Sequence, residues 1–218
     1  MPANSVKALV TGFDPFGGDE VNPSGMAVGR LQRQIGDVAV TAIELPTSYA
    51  QSAKVLMAAI DETRPDIVLC VGQAGGRTDL CLERVAINVQ DARIRDNDGN
   101  QPIDMPVVAS GPAAYFSTLP IKACVAEMRR AGLPAVVSNT AGTFVCNHIF
   151  YALMDIIRQH PNPMRGGFLH IPYVPEQASR VGGAPSMALG DIVRGIEIIL
   201  EVSANQAEDI HTAEGRIS

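Results

Sequence analysis

Five apolar residues in succession, Ile67–Val71, stand between Asp66 and Gly72. A run this short, built from β-branched residues and leucine, suits a strand covered on both faces, as in the middle of a parallel sheet. Similar runs recur along the chain. Val6–Thr11 ends at Gly12, and Val38–Leu45, Ala135–Ser138 and Phe168–Ile171 read as further strands, with Leu80–Val89 less regular. Helical segments alternate with them. Met26–Ile35 is entered through Asn22-Pro23-Ser24 and stopped at Gly36; Tyr49–Thr63 ends at Arg64-Pro65; Ile121–Ala131 is closed by Gly132. Cys146–Gln159 sets Ile149, Phe150, Leu153, Ile156 and Ile157 on one face, the 3.6-residue period of a core-packed helix. Ala188–Ala204 is the last helix, and the tail after it is expected to be loose. Arg93–Ser110 reads as a loop with a turn at Asn97–Asn100, expected to move when the site is empty.

This alternation predicts an α/β fold: a mostly parallel sheet covered by helices on both sides. No repeat or linker divides the chain, so residues 1–218 read as one domain. Ligands in such folds lie beyond the carboxyl ends of the strands, which directs attention to the loops after them.

With 218 residues, 46% hydrophobic and 18% charged, the chain can bury a core without staples and is neither disordered nor fibrous. A formal net charge of −6 with no basic run leaves no electrostatic footprint for nucleic acid or an anionic membrane. No stretch approaches the ~18–20 apolar residues of a membrane span. The start, MPANSVKALVTGF, lacks the apolar centre of a signal peptide, so a cytoplasmic location is expected. Cys70, Cys81, Cys124 and Cys146 form no C-x-x-C pair and are expected to be free thiols.

Among these thiols, Cys146 stands where a glycine-containing turn passes into a helix. The helix end contributes roughly 0.3–1 kcal/mol toward thiolate, too little to ionise a thiol at neutral pH without a base. His170, near the end of a strand, is the best imidazole for that task, and the strand-end rule predicts that it shares a rim with Cys146. His148 projects about 200° around the helix from Cys146, His160 stands at a helix end and His211 lies in the tail. Cys70 and Cys124 read as small core residues. No set of cysteines and histidines completes a metal site around Cys146 and His148. A third, acidic partner is left open by spacing among Asp79, Glu83, Asp91, Asp96 and Asp98. The glycine loops match neither dinucleotide nor P-loop patterns.

Six blocks together carry a resemblance: Thr11–Gly18 (TGFDPFGG) with Asn22-Pro23-Ser24, Val71–Arg77 (VGQAGGR), Glu83–Asn88 (ERVAIN), Asp96–Pro102 (DNDGNQP), Asn139–Tyr151 (NTAGTFVCNHIFY) and Gly166–Gln177 (GGFLHIPYVPEQ). The chain resembles the pyroglutamyl peptidase I family of cysteine peptidases nearly end to end. The resemblance implies a three-layer α/β/α sandwich, phosphorylase/hydrolase-like in architecture, and removal of an N-terminal pyroglutamyl residue from peptides. It implies a triad of Cys146 as nucleophile, His170 as base and Glu83 as the group orienting the imidazole, with no metal or cofactor. It points to Phe13, Phe16, Thr47, Ile94, Phe144 and Val145 as pocket lining and Gln73 as the polar contact, and to a homotetramer. A neutral lactam suits such a pocket of apolar walls with one or two hydrogen-bonding groups. Arg93 is expected nearby. Two positions depart from the family pattern: Cys81 replaces the usual serine or threonine before the glutamate, and Arg95 stands where many relatives have proline. Two rivals remain at this stage, a phosphorylase or glycosidase on the same architecture and a binder without activity.

Overall fold

The computed structural model describes residues 5–215. Its elements run in the order β1 (Val6–Phe13), α1 (Pro23–Val28), β2 (Gln34–Ile35), β3 (Val38–Leu45), α2 (Ser52–Thr63), β4 (Ile67–Gln73), β5 (Leu80–Glu83), β6 (Val85–Ile87) and β7 (Ala114–Phe116). Then follow α3 (Ile121–Arg130), β8 (Ala135–Ser138), α4 (Val145–Gln159), β9 (Arg165–Ile171), α5 (Pro175–Ala178) and α6 (Leu189–Asn205).

Seven strands form the central sheet in the order β2-β3-β1-β4-β9-β5-β8. Strands β3, β1, β4 and β9 are parallel, and β2 pairs antiparallel with β3 at one edge. At the other edge β5 and β8 are parallel to each other but run against β9. The sheet is thus mostly parallel, with helices on both faces. One apolar cluster joins residues of α1, α3 and α6 to one face. A second joins α2 and α4 to the other. Between them the sheet strands carry almost continuous apolar runs: in β4 every residue from Ile67 to Gly72 is buried.

Three expectations need correction. The segment Met26–Ile35 is not one helix: α1 stops at Val28, and Gln34–Ile35 turns through Gly36, at φ +53°, into a hairpin with β3. The helix is short because it is clamped to the end of β1. Asn22 caps it through Ser24 N, Ser24 Oγ accepts from Phe13 N, and a Cβ on Gly12 would stand 2.5 Å from Ser24 O. The stretch Leu80–Val89 breaks at Arg84, so that β5 joins the main sheet and β6 pairs with β7 in a separate one. The tail is tied down as far as Glu214: Asp209 accepts from Lys122 N and Ala123 N at the start of α3, and Glu214 pairs with Arg129 at 2.6 Å. Within loop 93–110 the turn around Asn97–Asn100 is held by several hydrogen bonds. Asp96 accepts from the backbone N–H groups of Tyr49, Asp98 and Asn100, and Asn97 Nδ2 donates to Asp14 and to Pro15 O. Burial works to raise the Asp96 pKa, but these donors outweigh it and hold the carboxyl below its usual value. No helix among the described residues is long and apolar enough to cross a membrane.

Candidate active site

The reversed pair β5–β8 creates the site. In the antiparallel register Cys81 faces His170 and Glu83 faces Phe168, while on the far side Gly72 of β4 pairs with His170. Alternation then sets Glu83, Cys81, Phe168, His170, Cys70 and Gly72 on one face of the sheet. Because β8 runs against β9, its carboxyl end lies away from that of β9. β8 therefore does not deliver Cys146 to that rim directly, yet Cys146 and His170 share the rim as expected, both lining one cleft. Loop 139–144 turns the chain back, and α4 begins above β4 and β9, running antiparallel to β9. Cys146 lies over Gly72 at one end, and Leu153 and Ile157 lie over Gly166 at the other. A Cβ on Gly72 would stand 2.8 Å from Cys146 Sγ and 2.8 Å from Phe168 Cζ. Only glycine leaves room for the thiol to reach the sheet.

His170 is 4% exposed, and its Nδ1 lies 2.7 Å from Oε1 of the fully buried Glu83. A carboxylate only accepts, so the ring proton sits on Nδ1 and Nε2 keeps its lone pair. The same Oε1 accepts from Arg77 Nη1 at 2.7 Å, and Arg77 Nη2 donates to Thr140 O at 3.0 Å, in the loop that leads to Cys146. Glu83 Oε2 is buried without a partner among the described residues. Burial lowers the His170 pKa below its ordinary value, more than the hydrogen bond and charge of Glu83 raise it; the charge of Arg77 lowers it further. Burial also pushes the Cys146 thiol up to about 12, with the Glu83 charge adding to the effect and Arg77 opposing it. Burial thus opposes ionisation of both groups, and the helix end alone does not offset it at Cys146. Among the described residues no direct hydrogen bond joins Cys146 to His170, though both line one cleft, and such bonds often tighten only with substrate bound.

That cleft has a volume of about 520 Å³. Phe16, Gln73, Ile94, Phe144 and Arg93 line it with Cys146 and His170, as does Tyr173, which the sequence did not single out. Phe16 and Phe144 pack with ring centroids 5.9 Å apart. Phe13, Thr47 and Val145 are placed behind the wall, each no more than 3% exposed. Phe13 is the last residue of β1 and lies with Val145 in the core, and Thr47 N and Oγ1 bond Asp14. Glu83 is also outside the cleft lining, behind His170. Asn147, next to the cysteine, is fully buried and bonds Ile87 N, Ile87 O and Val89 O, fastening α4 to β6. No side chain caps the start of α4, leaving its first N–H groups free of such a partner.

The remaining candidates sit elsewhere. Cys81 is 2% exposed, its Sγ donates to Asp79 O, and it does not line the cleft. Arg95 bonds Gly99 O at the surface. His148 is buried against Tyr49, both ring nitrogens without a partner among the described residues, and burial lowers its pKa to about 4. All four cysteines are free. No group of three or more His, Cys, Asp or Glu side chains among the described residues is arranged to hold a metal ion. Arg77 was given no role from the sequence; its position after Gly75-Gly76 in a loop following a strand was the available signal.

The pyroglutamyl peptidase family profile matches residues 6–206. The chain is 54% identical over 211 residues to the pyrrolidone-carboxylate peptidase of Brevibacillus brevis, covering 96% of this chain and 98% of that one. In structure it is similar to the pyroglutamyl peptidase I of Bacillus amyloliquefaciens, with a TM-score of 0.94, 50% identity and coverage of 96% and 100%. It also matches the pyrrolidone carboxyl peptidase of Thermococcus litoralis, with a TM-score of 0.92 at 36% identity, covering 95% and 99%. With the profile spanning nearly the whole chain and relatives this close, the chain belongs to the pyroglutamyl peptidase family.

Proposed function

We propose that the chain removes an N-terminal pyroglutamyl residue from peptides, with Cys146 as nucleophile, His170 as general base and Glu83 holding the imidazole. The observation that carries this reading is the buried 2.7 Å contact between His170 Nδ1 and Glu83 Oε1 beneath a cleft that also exposes Cys146. His170 Nε2 takes the thiol proton, and Sγ attacks the pyroglutamyl carbonyl. The Cys146 N–H at the uncapped start of α4 stabilises the oxyanion, a contribution typically worth ~100- to 1,000-fold in rate. His170 then returns the proton to the leaving amine, and water hydrolyses the thioester. Phe16, Phe144 and Ile94 supply apolar wall for the ring, and Gln73 a polar contact.

Family likeness further supports a homotetramer in the cytoplasm, which sedimentation and cell fractionation test. The two clusters on one sheet support folding of residues 1–218 as one domain, which a single cooperative unfolding transition would bear out. The decisive assay is release of a fluorescent amine from its pyroglutamyl amide. Wild type and Cys81→Ser turn over and Cys146→Ser does not. A folded, reduced wild type without turnover would overturn the peptidase reading.

A further inference from the structure

Gln73 ends β4 and lines the cleft beside His170 and Cys146. A glutamine amide is ambiguous at such a place, because one end donates and the other accepts. Two residues outside the cleft lining remove the ambiguity. Gln177, on α5 and 4% exposed, donates from Nε2 to Asp19 Oδ2 at 2.8 Å and to Gln73 Oε1 at 3.1 Å. A carboxylate can only accept, so Asp19 obliges Gln177 to present its NH2 group. That NH2 has two hydrogens, and the second meets Gln73. Reversing Gln73 would set NH2 against NH2. Its carbonyl must therefore face Gln177 and its NH2 must face away, with no partner among the described residues.

We propose that Asp19 and Gln177 are positioning residues that fix the polarity of the Gln73 amide, so that its NH2 group selects a ring carbonyl on the substrate. The proposal rests on the peptidase reading and names how that site separates a lactam from a plain pyrrolidine ring. The chain of command runs from a half-buried charge on the glycine loop that also carries Phe16, through a helix after β9, to the end of β4. Asp19 N bonds Phe16 O at 3.2 Å, so the same residue fixes the aromatic wall and the polar contact. The lactam carbonyl accepts from Gln73, and no bond is made or broken.

The test is a charge-conserving exchange, Asp19→Asn with Gln177→Glu. The new amide donates to the new carboxylate, so the link between loop and helix survives. The carboxylate now accepts from Gln73, which must turn its NH2 inward and its carbonyl to the cleft. We expect KM for a pyroglutamyl amide to rise roughly 30-fold, with kcat changed less than about threefold, as lost ground-state and transition-state binding alike. The Kd of 2-pyrrolidinone, measured by calorimetry, rises in parallel, whereas that of pyrrolidine does not. A folded exchange variant with wild-type KM and wild-type 2-pyrrolidinone affinity would overturn the proposal, because a merely structural link predicts that result. Should the exchange variant not fold, Gln177→Leu frees Gln73 to rotate and is expected to raise KM about threefold to tenfold; an unchanged KM overturns the proposal there. Wild type that binds 2-pyrrolidinone but releases no amine sinks the peptidase reading and leaves the polarity comparison to the calorimetry. Wild type that binds no 2-pyrrolidinone sinks the polarity proposal itself.

Discussion

Cys124 and Cys146 lie on opposite faces of one sheet, and burial pushes both thiols up to about 12. Cys124 belongs to the cluster under α3 and α6, where its Sγ meets Ile199 O and Ser203 Oγ. Cys146 opens to a cleft, above a glycine and beside an imidazole. What differs is access and a base, and the same contrast holds between the two faces. One face buries almost only carbon. The other buries Glu83, His170 and His148, and each must be held neutral or given a partner.

The largest effects should separate the two thiols. Cys146→Ser is expected to lower turnover of a pyroglutamyl amide by at least ~10⁴-fold, while Cys124→Ser retains activity within about twofold. Equal losses in both would erase the contrast. Next come the charges behind the imidazole. Glu83→Gln should reduce kcat/KM by roughly 10³- to 10⁴-fold, as loss of an orienting carboxylate does elsewhere. Removing the groups that raise the His170 pKa moves the acid limb of the pH–rate profile to lower pH. Arg77→Gln removes a charge that lowers it, so the limb moves to higher pH, with a loss of about tenfold. Shifts of the same sign in both variants would show that the two do not act through His170. On the carbon-filled face, Ile196→Ala should cost about 2–5 kcal/mol in urea unfolding with kcat/KM unchanged.

The acid sensitivity of the polar face touches stability alone. His148 titrates near 4 when folded, against 6.5 when unfolded. The unfolded chain therefore takes up its proton first, and stability falls as the pH drops from 6.5 to 4, by roughly 3 kcal/mol in full. His148→Leu should flatten that part of the curve; an unaltered slope would assign the acid loss to other groups.

Much of this was legible in the sequence, because the signals were local. Strands β3 and β8 have the bounds that their apolar runs suggest, and the core stripe of α4 is where its period places it. Cys146 and His170 were legible from their positions after and within such runs. Spacing did not single out Glu83, since choosing it among five acids needs the antiparallel register with β9; only the family resemblance named it. The short α1 was missed because its length is set by Gly12 and Ser24, contacts 12 residues apart on different elements. Arg77 drew no attention because nothing local says that it meets a buried carboxylate. Asp19 and Gln177 are 158 residues apart, and no pattern joins them before the chain folds.

The register of β5 has a consequence for how the gene can vary in length. Side chains alternate, so a one-residue insertion or deletion within Leu80–Glu83 would turn Leu82 toward His170 and drive the carboxylate into the carbon-filled face. Such a change has no partial form. Length variation among descendants of this chain should therefore collect in loops such as 93–110 and 179–188 and spare these four residues, even though they lie one strand from the edge of the sheet.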